Sequence, residues 1–259
     1  MQAFRYQTPA SVADARAAAA AGAKFMAGGQ SLLPSMRLGM SQPEALADLS
    51  GLPGMAGITV SGGVVRVGAM TTHAQVAASA EVQTAIPALA DLAGRIGDRQ
   101  VRNRGTLGGS VANADPAACY PAALVGLGAT VHTDRRDIAA DNFFTGLYQT
   151  ALAEDEVITA VSFPVPEKAG WQKFKQPASR FSIVGVFVSK GPQGVRVAVT
   201  GAGPCVFRAK ELEARLTGQW SAAVLEGASV PAAGLNSDLH GSAEYRAALI
   251  PVLAARAVA

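Results

Sequence analysis

Two glycine-rich segments, far apart in the chain, constrain its fold more than any other feature. The first is Ala27-Gly28-Gly29-Gln30-Ser31-Leu32-Leu33-Pro34; the second is Arg102-Asn103-Arg104-Gly105-Thr106-Leu107-Gly108-Gly109-Ser110. Adjacent glycines lack the Cβ atoms that hold a ligand off the backbone, and they expose successive N–H groups to an anion. Ser31, Thr106 and Ser110 add hydroxyl donors. Singly, each segment reads equally well as a tight turn. Together they point to a phosphate-containing ligand held between two lobes. Neither is a Walker loop, because no Lys-Ser/Thr follows the glycines. Neither is a G-x-G-x-x-G turn opening a helix, with a later acidic ribose ligand.

The rest of the chain narrows the class. At 259 residues it can form one large core or two modest domains. With 49% hydrophobic and 16% charged residues, a globular protein with a rather apolar surface is expected, part of it covered by partners. The formal charge is only +3 and the basic residues are scattered, which argues against nucleic-acid binding. Glycine, proline or charge interrupts every apolar run before the roughly 20 residues of a membrane span. The N-terminal residues do not read as a signal peptide. A cytoplasmic protein is therefore expected. Cys119 and Cys205 are too few for a four-thiolate zinc or iron–sulfur site, and His73, His132 and His240 are dispersed. No nucleophile–histidine–acid spacing stands out, so no catalytic residue is assigned. Any chemistry is borrowed from a cofactor.

Local patterns predict a mixed α+β order. Residues 11–21 read as a helix capped by Ser11 or Thr8 and ended by Gly22, followed by a short strand over 24–27. No helix is expected directly after the first glycine segment, since Pro34 interrupts. Residues 46–49 read as a strand, and 58–60 with 64–68 as a hairpin around Ser61-Gly62-Gly63. Helices are predicted over 72–80, 86–96 and 121–127, and strands over 129–132 and 157–163, the latter stopped by Pro164. Three antiparallel strands (171–174, 182–189 and 195–200) and two helices (208–216 and 243–258) close the chain.

Further polar groups cluster near these segments. Asn113 offers a donor and an acceptor, and Asp115 can accept from a ribose or ribityl hydroxyl, or else form an Asx turn before Pro116. Lys175 and Arg180 place positive charge beside a turn.

Taken together, these residues resemble the flavin-binding medium subunit of the molybdenum hydroxylases, the carbon monoxide dehydrogenase and xanthine dehydrogenase family. The matching pieces are the two glycine segments, Ala114-Asp115-Pro116-Ala117-Ala118, Asn142-Phe143-Phe144-Thr145-Gly146, Phe174 to Phe181 with Val184-Gly185, and Ala243-Glu244-Tyr245-Arg246. They run in family order over nearly the whole chain. The resemblance implies a two-subdomain FAD-binding fold of the vanillyl-alcohol-oxidase-like (PCMH) type over 1–166, with subdomains of about 1–52 and 53–166. It also implies a C-terminal domain over 167–259 with a three-stranded antiparallel sheet and helices.

By motif position, Ala27, Gly28, Gly29, Gln30, Ser31 and Leu32, with Thr106, Gly108, Gly109 and Ser110, would hold the FAD pyrophosphate through backbone N–H groups. Asn113 and Asp115 would lie along the ribityl and phosphate part. Ile158 would pack on the flavin, and Lys175 would place its charge near the ring. The implied partners are a large molybdopterin-binding subunit and a small [2Fe–2S] subunit in a dimer of heterotrimers. Electrons would pass from the clusters through FAD to an external acceptor. The family carries an acidic residue after Pro-Ala-Ala, where this chain has Cys119. Two other readings remain: a self-contained FAD-dependent oxidoreductase, which needs a substrate-facing acid or base near the ring, and a scaffold subunit whose glycine segments are plain turns.

Overall fold

The computed structural model describes residues 2–259. The chain opens with a three-stranded parallel sheet in the order Arg5–Gln7, Ala45–Asp48, Lys24–Met26. Parallel neighbours need a crossover, and the helix Val12–Ala20 supplies the first, with Ser11 accepting from the Asp14 N–H as N-cap. After the first glycine segment the chain does turn into a helix, Leu32–Arg37, contrary to expectation. Pro34 sits in its first turn, where backbone N–H groups have no intrahelical partner and a missing one costs nothing.

A five-stranded antiparallel sheet follows in the order Ile58–Ser61, Val64–Gly68, Ile158–Pro164, Thr130–Thr133, Asp137–Ala139. Its long central strand returns from far along the chain to pair between the hairpin and Thr130–Thr133. The helix Tyr120–Leu127, buried along its whole length, packs against it, and the helix Pro87–Gly94 joins the same core. The second glycine segment is also helical rather than a loop. Arg99–Arg104 is capped by Asp98, and Leu107–Asn113 is capped by Thr106, with Gly105 between them.

The last sheet runs Lys168–Lys175, Ser182–Gly191, Gly194–Thr200, Phe207–Arg208, all antiparallel. The fourth strand, two residues long, was not legible beside the three expected ones. Side chains alternate across a strand, and here each face meets a different core. Trp171, Phe187 and Ala198 join the core built around the five-stranded sheet, whereas Val184, Val186, Val188, Val197 and Val199 pack on helices Lys210–Gly218 and Ala243–Val258. The seam is also hydrogen-bonded. Pro116 O accepts from Gly201 N (2.7 Å) and Thr200 Oγ1 (2.9 Å), Ala117 O from Ser182 N (3.3 Å), and Ala118 O from Thr200 Oγ1 (2.7 Å).

Candidate FAD site

The two glycine segments meet backbone to backbone. A Cβ on Gly28 would fall on the Arg104 carbonyl oxygen and stand only 2.8 Å from Gly105 Cα. A Cβ on Gly109 would stand 2.8 Å from Thr106 Oγ1 and 3.2 Å from Ala27 Cβ. Gly108 lies on Ala69, with its own N–H donating to Ala69 O at 2.8 Å. Ala69 N in turn donates to Thr159 O, which ties this junction to the central strand beside Ile158. Gly28 and Gly108 are thus required by packing against neighbouring main chain, a reason the sequence alone did not reveal.

Their donors are in different states. Among the described residues, the N–H groups of Gly28, Gly29, Gln30 and Ser31 donate to no protein acceptor, and Gln30 and Ser31 are exposed. Ser31 precedes its helix without a side-chain capping bond, so its hydroxyl is also available. Gly29 has φ +72°, which turns the strip outward at a position that favours glycine. In the second segment the backbone is spent: Leu107 N donates to Thr71 O, Gly108 N to Ala69 O, Gly109 N to Thr106 Oγ1 and Ser110 N to Thr106 O. Of the residues expected to offer backbone donors here, Gly108, Gly109 and Ser110 thus already have protein acceptors for their N–H groups. Gly109 and Ser110 start the helix by bonding back to Thr106, while Gly108 bonds across to Ala69. What this segment leaves free is the Ser110 hydroxyl and the half-buried Asn113 amide, neither with a protein partner among the described residues.

Asp115 follows Ala114, whose φ of +46° ends the helix in the left-handed region. Its Oδ1 accepts from Ala117 N at 2.8 Å, so the Asx turn is present. Burial pushes its carboxyl up, opposed by the Ala117 N–H and by the nearby Tyr148 hydroxyl. Tyr148, at φ +54° in the turn between Phe144–Gly146 and Gln149–Thr150, was missed at the sequence level. Only its solvent-exposed, left-handed position in a tight hairpin marks it.

Behind the junction sits His73, buried, with its N–H donating to Gly105 O at 2.9 Å. Its ring leaves no room for a side chain at position 105, where a Cβ would meet Nε2 at 2.6 Å. Burial pushes the imidazole down to about 4, with the nearby Arg102 charge acting the same way. His73 Nδ1 and the hydroxyl of Tyr120, whose ring centroid is 5.3 Å away, are buried without protein partners.

The remaining expected residues fall elsewhere. Ile158 is 6% exposed and belongs to the main core, next to Thr159 and hence to Ala69. Lys175 is exposed at the end of its strand, opposite Ser182 and beside a register shift. The neighbouring Lys173 is instead buried, donating to Arg95 O, Arg180 O and Cys119 Sγ. Among the described residues, no hydrogen bond or ion pair joins the Lys175 side chain to the glycine segments. Two hollows, of about 330 and 620 Å³, lie around Asp141 and Arg208 and around Trp220 and Val165. Neither touches the glycine junction. An extended dinucleotide needs a strip of outward donors more than an enclosed hollow, so the junction is the better candidate.

Residues 2–166 match the family model described as FAD binding domain in molybdopterin dehydrogenase, and residues 172–259 match that of the CO dehydrogenase flavoprotein C-terminal domain. The chain is an FAD-binding medium subunit of the molybdenum hydroxylase family. It is 38% identical to the nicotine 6-hydroxylase medium subunit of Paenarthrobacter nicotinovorans, across 100% of this chain and 97% of that one. It is 34% identical to the carbon monoxide dehydrogenase medium chain of Hydrogenophaga pseudoflava, across 98% and 96%. A solved structure of carbon monoxide dehydrogenase from Hydrogenophaga pseudoflava superposes with a TM-score of 0.90 at 34% identity, covering 99% of this medium subunit and 96% of that chain. Quinoline 2-oxidoreductase from Pseudomonas putida 86 gives 0.88 at 30% identity, with the same coverage. Among the described residues, no group of three His, Cys, Asp or Glu side chains is placed to hold a metal, and no helix is long and apolar enough to cross a membrane.

Proposed function

We propose that this medium subunit carries electrons from the [2Fe–2S] clusters of a small partner subunit, through FAD, to an external acceptor. A large molybdopterin-binding partner would oxidise the substrate, and the assembly would be a dimer of heterotrimers. The observation that carries the reading is the backbone contact of Gly28 with Arg104 and Gly105, which sets a strip of unpaired N–H groups at the join of the two segments. Bound FAD supplies the step between one-electron and two-electron carriers.

The chain's own residues then have these parts. Gly28, Gly29, Gln30 and Ser31 would receive the pyrophosphate on N–H groups already stripped of competing acceptors, with Ala27 and Leu32 bounding the strip. Thr106, Gly108 and Gly109 would hold that strip in place by packing. Ser110 and Asn113 would bond the dinucleotide through side chains. Asp115, with its carboxyl raised by burial, would meet the ribityl hydroxyls. Ile158 would back the ring from the core, and Lys175 would supply charge at its edge. The domain division is read at 166/167, with subdomains meeting near residue 52. None of these residues is assigned as a general acid or base for a carbon substrate.

Native purification from the source cells tests the reading. The chain is expected to co-elute with two partner chains carrying molybdenum and iron. Its flavin should then bleach under anaerobic conditions when those partners are reduced. A chain that elutes alone with FAD, and whose flavin is reduced directly by a small organic substrate, would contradict it.

A further inference from the structure

We infer that Cys119 and Lys173 form an oxidative crosslinking pair: hydrogen peroxide joins Cys119 Sγ to Lys173 Nζ through a sulfur–nitrogen bond. Cys119 immediately precedes the helix Tyr120–Leu127 of the FAD-binding part, and Lys173 lies within the strand Lys168–Lys175 of the C-terminal sheet. The bond would therefore fasten one part of the molecule to the other across their seam.

The geometry is already close. Sγ and Nζ stand 3.4 Å apart, with Ser182 Oγ at 3.6 Å from the sulfur. Both residues are buried, Cys119 at 5% and Lys173 at 7% exposure. The other partners of Nζ are two backbone carbonyls, Arg95 O at 2.8 Å and Arg180 O at 3.0 Å, which aim the nitrogen at the thiol. The lysine ion pairs among the described residues are Lys190 with Glu167 and Lys210 with Glu213; Lys173 has no carboxylate. Its nitrogen is thus held against sulfur by neutral groups alone. Cys205 is a separate free thiol with no contact to Cys119, so the nearest nucleophile to an oxidised Cys119 is nitrogen and not a second sulfur.

Sulfenic acids condense with a neighbouring nucleophile when one is within reach. Peroxide first transfers one oxygen to the Cys119 thiol. Its O–O bond breaks, an S–O bond forms, sulfur gives up two electrons and water leaves. Lys173 Nζ first gives one ammonium proton to solvent, and its freed lone pair then attacks the sulfur, the N–S bond forming as the S–O bond breaks. The hydroxyl departs as water with a second ammonium proton, and one hydrogen stays on nitrogen. No electrons are exchanged in this second step. Peroxide is scarcely larger than water, which suits a buried thiol. Reduced flavin that meets dioxygen produces it, and only that source rests on the function proposed above.

Adding hydrogen peroxide to the purified full chain tests the crosslink independently of any flavin turnover. After free thiols are blocked and the protein digested, the peptides containing Cys119 and Lys173 are expected as one species, lighter by two hydrogens than their sum. Dithiothreitol should separate them. The thermal midpoint should rise on oxidation and return on reduction. Lys173→Arg, which keeps the charge and the donors, should abolish the linked species; the wild-type digest decides the matter even where that variant fails to fold. Cys119 recovered as sulfinic or sulfonic acid beside a free Lys173 amine would overturn the inference. So would a Cys119 that remains a thiol after Cys205 is fully oxidised.

Discussion

At the residue scale, single atoms at the glycine junction decide the site. Gly28→Ala would push a methyl into the Arg104 carbonyl and Gly105 Cα, main-chain atoms that cannot swing aside as a side chain would. Overpacking of this kind costs about 1–3 kcal/mol. The variant is expected to lose FAD at least tenfold more readily, measured by fluorescence of released flavin. Gly51→Ala, with no atom within 4 Å, should match wild type. His73 carries a pH signature. Its imidazole is held at about 4 in the folded chain, against 6.5 in the unfolded one, so the unfolded state binds the extra proton between those values. Stability is then full above pH 6.5 and declines as the pH falls toward 4, by about 3 kcal/mol in all. Urea unfolding of wild type against His73→Gln should show this slope only in wild type. The sequence announced Gly28 and Gly29 plainly. It could not announce His73, Tyr148 or Lys173, because their parts depend on contacts with residues distant in the chain.

At the element scale, the seam between the two sheet systems hangs on the segment 116–118. Thr200, wholly buried, shares its one hydroxyl proton between Ala118 O at 2.7 Å and Pro116 O at 2.9 Å. Thr200→Val keeps its shape but leaves Ala118 O without this donor, a loss of about 1–3 kcal/mol in chemical denaturation. Glu156 fastens another join: it accepts from Arg136 Nη2 at 2.9 Å and from Thr133 Oγ1 at 2.8 Å. Chiefly through the Arg136 hydrogen bond, its carboxyl is held down to about 2 from 4.5. Its contribution is therefore complete above pH 4.5 and is lost as the pH falls toward 2. That window lies below the one assigned to His73, and Glu156→Gln should flatten it. Strands with alternating or wholly apolar patterns, such as Val64–Gly68 and Ser182–Gly191, were legible because period-two burial is written in the residues. Helices Leu32–Arg37 and Leu107–Asn113 were not, since proline and adjacent glycines lower helix propensity and only tertiary partners override it. The strand Phe207–Arg208 is too short to carry any pattern.

At the scale of the whole molecule, one face of the C-terminal sheet completes the core of the FAD-binding part while the other builds a core of its own. The two parts are thus expected to unfold together: tryptophan fluorescence, with Trp171 at the seam and Trp220 in the C-terminal part, should trace the same transition as circular dichroism. Separate transitions would show that the seam is weak. The family and its order of motifs were readable along the entire chain, yet the partition of donors, free in the first glycine segment and spent in the second, required the fold. That partition is most directly tested by the FAD content of natively purified protein, wild type beside Gly28→Ala. Equimolar FAD in the wild type and a depleted variant are expected if the strip from Gly28 to Ser31 holds the cofactor. A colourless wild-type chain that also fails to take up added FAD would contradict the assignment, and the two glycine segments would then be no more than a packed joint.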